Sequence, residues 1–159
     1  MIITRNGETF SEIIPLTIGQ APDFSLKDQH DNIVTLSKLA SPIIVSVFPD
    51  INTSVCSVQT RRFNQEAAAH KDIAFLSISN NTQEEQANWC AAEGVEMTIL
   101  SDVQNEFGQL YGIVMTEVNL LARSVFVIKG EQIIYAEILA EITDEPDYEK
   151  ALQVVGAAI

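Results

Sequence analysis

Cys56 and Cys90 are the two cysteines of this 159-residue chain, and their thiols are its most reactive side chains. Cys90 lies 34 positions after Cys56, which excludes the CxxC spacing of a thioredoxin-type dithiol. His30 and His70 lack ligand spacing with either cysteine, so no zinc site is predicted. Two cysteines in a reducing compartment are more often catalytic or redox-sensing than structural.

Cys56 follows a pattern that favours a reactive thiolate. The apolar run Ile43–Phe48 predicts a buried strand ending at Pro49, and Thr53 is the predicted N-cap of a helix reaching His70. An ordinary thiol, with a pKa of about 8.5, is only a few per cent ionised at neutral pH. In the first helical turn, free backbone N–H groups and the positive helix end would stabilise a thiolate at Cys56. Pro49 is expected to stiffen the loop, and Thr53 to direct its hydroxyl toward the sulfur. The competing interpretation is a small buried cysteine with a packing role.

The remaining pattern predicts one α/β domain over residues 1–159. Asn6-Gly7 indicates an N-terminal β-hairpin, and the order of the later elements fits a thioredoxin-like sandwich with a mixed central sheet. The predicted elements are hairpins at Met1–Ile13, Phe24–Leu36 and Ser124–Leu139, a strand at Ile73–Ser79, and helices at Thr82–Glu93, Asn105–Tyr111 and Pro146–Ala158, with Pro146 in the first turn of the last helix.

Composition narrows the class of protein. The chain is 47% hydrophobic and 19% charged, and nine basic against 22 acidic residues give a net charge of −13. This balance argues against nucleic-acid binding and against an anionic membrane surface. No apolar run is long enough to span a bilayer, and Met1–Phe10 lacks the apolar core of a signal peptide, so a cytoplasmic location is expected.

Four segments carry a family resemblance. The motif Pro49-x-x-x-Thr53-x-x-Cys56 resembles the active-site motif of peroxiredoxins. The longer match is to the bacterial thiol peroxidases, of the atypical two-cysteine type, and it lies in Cys56-Ser57-Val58-Gln59-Thr60-Arg61-Arg62-Phe63-Asn64, Trp89–Gly94, Leu121–Ile128 and Glu141–Tyr148.

The resemblance implies a role for each matched residue. Cys56 would be the peroxidatic nucleophile, Cys90 the resolving cysteine, Thr53 a hydrogen-bond donor to the peroxide and Arg123 the catalytic arginine. It further implies reduction of hydrogen peroxide and alkyl hydroperoxides through a Cys56–Cys90 disulfide, recycling by thioredoxin, a homodimer, and no metal, haem or flavin.

A disulfide would require the two cysteine Cα atoms to approach within about 4.4–6.8 Å. Because one cysteine is predicted near the start of a helix and the other near the end of another, we expect local unwinding on oxidation. Without the resemblance, the sequence is compatible with Cys90 as a core cysteine, and it favours Arg123 as a solvated residue at a strand end.

Three segments depart from the family pattern. Asp50 and Asn52 stand where Ser and Asp are usual, and a carboxylate near the sulfur would oppose ionisation of Cys56. We therefore expect Asp50 to face solvent or to pair with a cation. Asn80-Asn81-Thr82-Gln83 replaces an Asp-Leu-Pro helix start, and Val114–Leu120 is shorter than the usual Gly-rich loop.

Three alternatives stay open at this point. The chain could be a general thiol–disulfide oxidoreductase acting on other proteins without peroxide. It could be a redox-sensing binding protein whose disulfide alters a partner surface. It could also be a peroxiredoxin-like domain that has lost its activity.

Overall fold

The computed structural model describes residues 1–40, 42–95 and 97–159. Its strands are β1 (Ile2–Arg5), β2 (Glu8–Glu12), β3 (Gly19–Gln20), β4 (Ser25–Asp28), β5 (Ile33–Thr35), β6 (Ile43–Val47), β7 (Ala74–Ser79), β8 (Ile99–Ser101), β9 (Val114–Met115), β10 (Leu120–Leu121), β11 (Ser124–Lys129) and β12 (Gln132–Ile138). Its helices are α1 (Ser54–Ala69), α2 (Gln83–Glu93), α3 (Glu106–Leu110) and α4 (Tyr148–Ala157), with a 3₁₀ turn at Leu36–Lys38.

The largest sheet has the strand order β3-β12-β11-β6-β7-β8-β4-β5. Strands β6, β7 and β8 are parallel, whereas β11 is antiparallel to both β6 and β12. The sheet is therefore mixed, as predicted, and the apolar β6 lies in its interior. Parallel strands need a crossover, and α1 supplies the one between β6 and β7.

Alternating side chains of β6 cover the two faces of this sheet. Val45 and Val47 pack on one face with Phe107 of α3, while Ile44 packs on the other with Phe63 of α1. Such two-sided burial explains why β6 is apolar throughout rather than alternating. At the end of the sheet that carries the cysteines, a third cluster joins Phe48, Ile51, Cys56, Trp89, Cys90 and Ile99.

The N-terminal hairpin is present as predicted, and it packs against a segment far along the chain. Asn6 and Gly7 both adopt positive φ, 51° and 84°, as a tight two-residue turn requires. The amide of Thr4 donates to Ala140 O at 2.6 Å, and the amide of Ile142 donates to Thr4 O at 2.9 Å. These bonds hold β1 and β2 beside the loop that follows β12.

Some boundaries differ from expectation. Helix α4 begins at Tyr148, and Asp147 caps it by accepting from the Lys150 amide at 3.1 Å, so placing Pro146 in the first turn was wrong. A short side-chain acceptor at the N-cap decided where the helix starts. Strands β8, β9 and β10 were not predicted, since runs of two or three residues show no period. Among the described residues, no helix is both long and apolar enough to cross a membrane.

Candidate active site

Cys56 and Arg123 meet where two neighbouring strands end. Strand β6 leads through buried Pro49 into α1, and Cys56, in the first turn of that helix, is 0% exposed. Strand β11 runs antiparallel to β6, with Ser124 opposite Val47. Arg123, one residue before Ser124, is thereby placed at the end of β6 from which the Cys56 loop departs.

Arg123 is 3% exposed, and each of the three nitrogens of its guanidinium makes one hydrogen bond. Its Nη2 donates to Cys56 Sγ at 3.3 Å, its Nη1 to Gln59 Oε1 at 2.9 Å and its Nε to Ile142 O at 2.9 Å. A buried cation held in this way stabilises negative charge on the sulfur.

Gln59 is a site residue to which the sequence analysis assigned no role. It is buried, and its Nε2 donates to Ser46 Oγ at 2.8 Å and to Val47 O at 3.2 Å, which leaves Oε1 for Arg123. The available signal was helical spacing, because a residue three positions after Cys56 lies on the same helix face. Gln59 therefore anchors the guanidinium to β6.

Thr53 is the N-cap of α1, but its hydroxyl does not point as predicted. It donates to Asp50 O at 2.9 Å rather than to the sulfur, a local side-chain-to-backbone contact typical of threonine before a helix. It makes no side-chain cap, and the first turn of α1 holds no acidic residue. The positive end of α1 therefore stays free to act on Cys56.

Asp50 retains part of the solvent contact that was expected of it. This half-buried carboxylate is held by amide donors: Oδ1 accepts from Asn52 N at 3.0 Å, Asn52 Nδ2 at 3.2 Å and Asn81 Nδ2 at 2.9 Å. Within the described parts of the chain it forms no ion pair. Neutral donors thus take the place of the cation that was the alternative expected partner.

The same side chains join the Cys56 loop to the start of the Cys90 helix. Asn81 Oδ1 accepts from the Ile51 amide at 2.9 Å, and Asn52 Nδ2 donates to Glu85 Oε2 at 3.3 Å. Glu85 also completes a capping box with Thr82 at the start of α2. We call Asp50, Asn52, Asn81 and Glu85 the latch; three of its four members lie in segments that depart from the family pattern.

Cys90 has different surroundings. It lies near the end of α2, is 8% exposed, and burial raises the pKa of its thiol. Both cysteines are free thiols, although they share a cluster with Trp89, whose Nε1 donates to Ser57 Oγ at 3.3 Å. Cys90 opens onto a groove of about 640 Å³ lined by Gln29, His30, Ala87, Ala91, Gly94, Val95 and Met97.

Cys56 lines a second cavity, of about 350 Å³. Four predicted site residues meet there, namely Pro49, Thr53, Cys56 and Arg123, whereas Cys90 does not line it. The N-terminal hairpin contributes Arg5 and Phe10, and the rest of the wall is Asp50, Ser54, Val55, Leu120, Ile142 and Thr143. No sequence signal linked the hairpin to the site.

Solved structures of peroxiredoxins share this architecture. The peroxiredoxin-like protein of Aquifex aeolicus superimposes with a TM-score of 0.91 at 23% identity, covering 99% of this chain and 97% of that one. A thiol peroxidase of Chromobacterium violaceum gives a TM-score of 0.85 at 16% identity, with 99% and 96% covered. These likenesses confirm the predicted fold class, a peroxiredoxin-type sandwich.

Comparison with the sequences of known proteins identifies the family more specifically than the fold does. Residues 18–137 match the AhpC/TSA family model. A thiol peroxidase of Listeria innocua is 44% identical over 144 residues, 87% of each chain. That of Bacillus subtilis is 40% identical over 144 residues, 88% of this chain and 86% of the relative. The chain belongs to the AhpC/TSA family, in the thiol peroxidase branch, and is a peroxiredoxin-type oxidoreductase.

Proposed function

We propose that this protein reduces hydrogen peroxide and alkyl hydroperoxides with Cys56 as the nucleophile and Cys90 as the resolving thiol. The observation that carries the proposal is the 3.3 Å contact between Arg123 Nη2 and Cys56 Sγ at the uncapped start of α1. A cation and a helix end acting on one sulfur favour the thiolate, which is the form that attacks peroxide.

In the first step, the Cys56 thiolate attacks the nearer oxygen of ROOH. An S–O bond forms, the O–O bond breaks, and the leaving oxygen takes a proton to become ROH, or water when the substrate is hydrogen peroxide. The sulfur is oxidised to sulfenic acid. Arg123 stabilises charge on the departing oxygen, and a rotated Thr53 hydroxyl can hydrogen-bond the peroxide in line with the sulfur.

In the second step, the Cys90 thiol condenses with the sulfenic acid, which releases water and forms the disulfide. The two thiols open onto different cavities, and Trp89 packs in the cluster they share. We infer that the first turn of α1 and the end of α2 unwind before the sulfurs join. The latch opposes the change at α1, since it ties the loop that precedes this helix to the start of α2.

Recycling needs an external dithiol, which opens the disulfide by exchange through a mixed disulfide. We propose thioredoxin as this dithiol and a cytoplasmic location, as expected from the sequence and its resemblance to thiol peroxidases. We also propose a homodimer. Exposed apolar side chains such as Ile14 and Ile18, 89% and 66% exposed, offer apolar area for self-association, and sedimentation of the reduced protein tests the assembly.

The test is an NADPH-linked assay with thioredoxin, thioredoxin reductase and hydrogen or cumene hydroperoxide. The proposal requires many turnovers in the parent, none in Cys56→Ser, and a loss of turnover in Cys90→Ser after its first oxidation. Retained cycling in Cys56→Ser would contradict the assignment of the nucleophile.

This assay, together with a disulfide-exchange assay, separates the alternatives. A general thiol–disulfide oxidoreductase would exchange with a scrambled disulfide protein in the absence of peroxide. A sensor would consume about one peroxide per molecule without cycling, and an inactive domain would consume none.

A further inference from the structure

The cavity in front of Cys56 is larger than hydrogen peroxide requires. Its volume is about 350 Å³, whereas one water occupies roughly 30 Å³ of liquid. Cavities of this size typically hold organic ligands. The peroxide end must lie at the sulfur, so the remaining space receives the organic part of the substrate.

The wall away from the sulfur has two characters. Phe10, Leu120 and Ile142 supply apolar surface for a carbon skeleton. Arg5 supplies a guanidinium, whose central carbon lies 5.8 Å from the centre of the Phe10 ring. The hairpin thus brings an apolar surface and a cation to one cavity.

Arg5 has fewer protein partners than Arg123. All three nitrogens of the Arg123 guanidinium are engaged by protein acceptors. Arg5 is exposed and, within the described residues, forms no ion pair. The carboxylate of Glu141 is engaged instead: bonds from Thr143, Gly7 and Thr4 hold its pKa at about 2.

The overall charge of the chain makes the position of Arg5 a basis for selecting among substrates. The chain carries a net charge of −13, which disfavours the approach of an anion to most of its surface. Asp50, in the loop that leads into the Cys56 helix, is the one acid among the described residues that line this cavity.

We propose that Arg5 is a specificity-determining residue that selects organic hydroperoxides carrying a carboxylate. This rests on the proposed peroxidase function and names a substrate class for the same site. The apolar body packs against Phe10, Leu120 and Ile142 while the carboxylate pairs with the guanidinium.

The test compares two peroxides that differ in one charge: cumene hydroperoxide with a para-carboxylate, and its methyl ester. The parent should show a carboxylate-to-ester ratio of kcat/KM of about three to ten at low salt. The ratio should fall to about one or below in Arg5→Gln and keep an intermediate value in Arg5→Lys. It should also fall with ionic strength.

Arg61→Gln is the matched control, because it removes the same charge from an exposed arginine that pairs with Glu93 outside the cavity. Its ratio should equal that of the parent. An equal drop in Arg61→Gln, a parent ratio of one, or an unchanged ratio in Arg5→Gln would each overturn the proposal. Failure of the parent to consume hydrogen peroxide would instead refute the proposed function, so the two failures are distinguishable.

Discussion

The two cysteine helices begin in opposite ways. Helix α1 starts without a side-chain cap or an acidic residue in its first turn, whereas α2 starts with a Thr82–Glu85 capping box and both Glu84 and Glu85. A capped, acidic helix start is locally more stable. The first turn of α1 forgoes that stabilisation, and its free N–H groups and positive end remain available to Cys56.

The immediate surroundings of the two sulfurs also differ. Cys56 contacts a buried guanidinium, whereas Cys90 accepts from a neutral amide donor, Gln29 Nε2 at 3.8 Å, and burial raises the pKa of its thiol. Identical side chains thus acquire different chemistry from their neighbours. This difference is what the proposed roles require, with Cys56 as the attacking thiol and Cys90 as the resolving thiol.

The largest expected effect is the difference between the two thiols. With hydrogen peroxide, Cys90→Ser, which retains Cys56, should form sulfenic acid at least about 10³-fold faster than Cys56→Ser, which retains Cys90. Dimedone trapping followed by mass spectrometry measures both rates. Comparable rates would mean that the surroundings of Cys56 do not activate it.

Removal of the guanidinium should come next. In the Cys90→Ser background, Arg123→Gln should lower the rate constant with peroxide by about 10²–10³, and Arg123→Lys should fall between, because lysine lacks the planar fork. Gln59→Leu, which frees the guanidinium from β6 and also removes the bonds to Ser46 and Val47, should cost about tenfold. Unchanged kinetics in Arg123→Gln would remove this residue from the mechanism.

The latch should affect only the second step. Asn81→Ala removes bonds to Ile51 and Asp50, and it should speed disulfide formation by up to about tenfold, since each such bond contributes about 0.5–1.5 kcal/mol. Trp89, the one tryptophan of the chain, reports the rearrangement by stopped-flow fluorescence. The peroxide-independent phase should accelerate while the peroxide-dependent phase stays constant.

Asn80→Ala is the control for this experiment, because Asn80 donates to Asn105 Oδ1 and to Asn119 O rather than to the latch. It should leave both phases unchanged. A slower second phase in Asn81→Ala would show that the latch assists resolution instead of opposing it.

The last expected effect is on the free energy of unfolding, and it concerns the start of a third helix, α3. Buried Asp102 accepts the Phe107 and Gly108 amides of α3, and desolvation raises its pKa from 3.8 to about 6. Between these values the folded state binds more protons than the unfolded state, so this contribution to stability falls as pH rises from 4 to 6. Relative to Asp102→Asn, the parent should gain about 2–3 kcal/mol on acidification from pH 7 to 4. Urea titrations across this range measure it, and parallel pH profiles would contradict it.

Local patterns predicted what depends on near neighbours in the chain. The Asn6-Gly7 turn, the apolar β6 and the helix over Thr82–Glu93 were all recognisable, because turn geometry, burial and capping each act over a few residues. Short strands such as β8 escaped, since three residues show no period. Gln59 lies in a segment that matches the family, but its partner Arg123 lies at the start of a distant strand, so the sequence did not show their contact.

The sequence by itself determined that Cys56 starts a helix after a buried strand, that Cys90 ends another, and which family motif they belong to. Only the tertiary structure decided that Arg123 reaches the sulfur, that amide donors surround Asp50 and that Arg5 faces the cavity. These contacts join residues 31 to 67 positions apart or, for Arg5, a hairpin placed by residues 140–142. The physical reason is that helical and turn preferences are local, whereas the charge around a thiol depends on which distant strands are paired beside it.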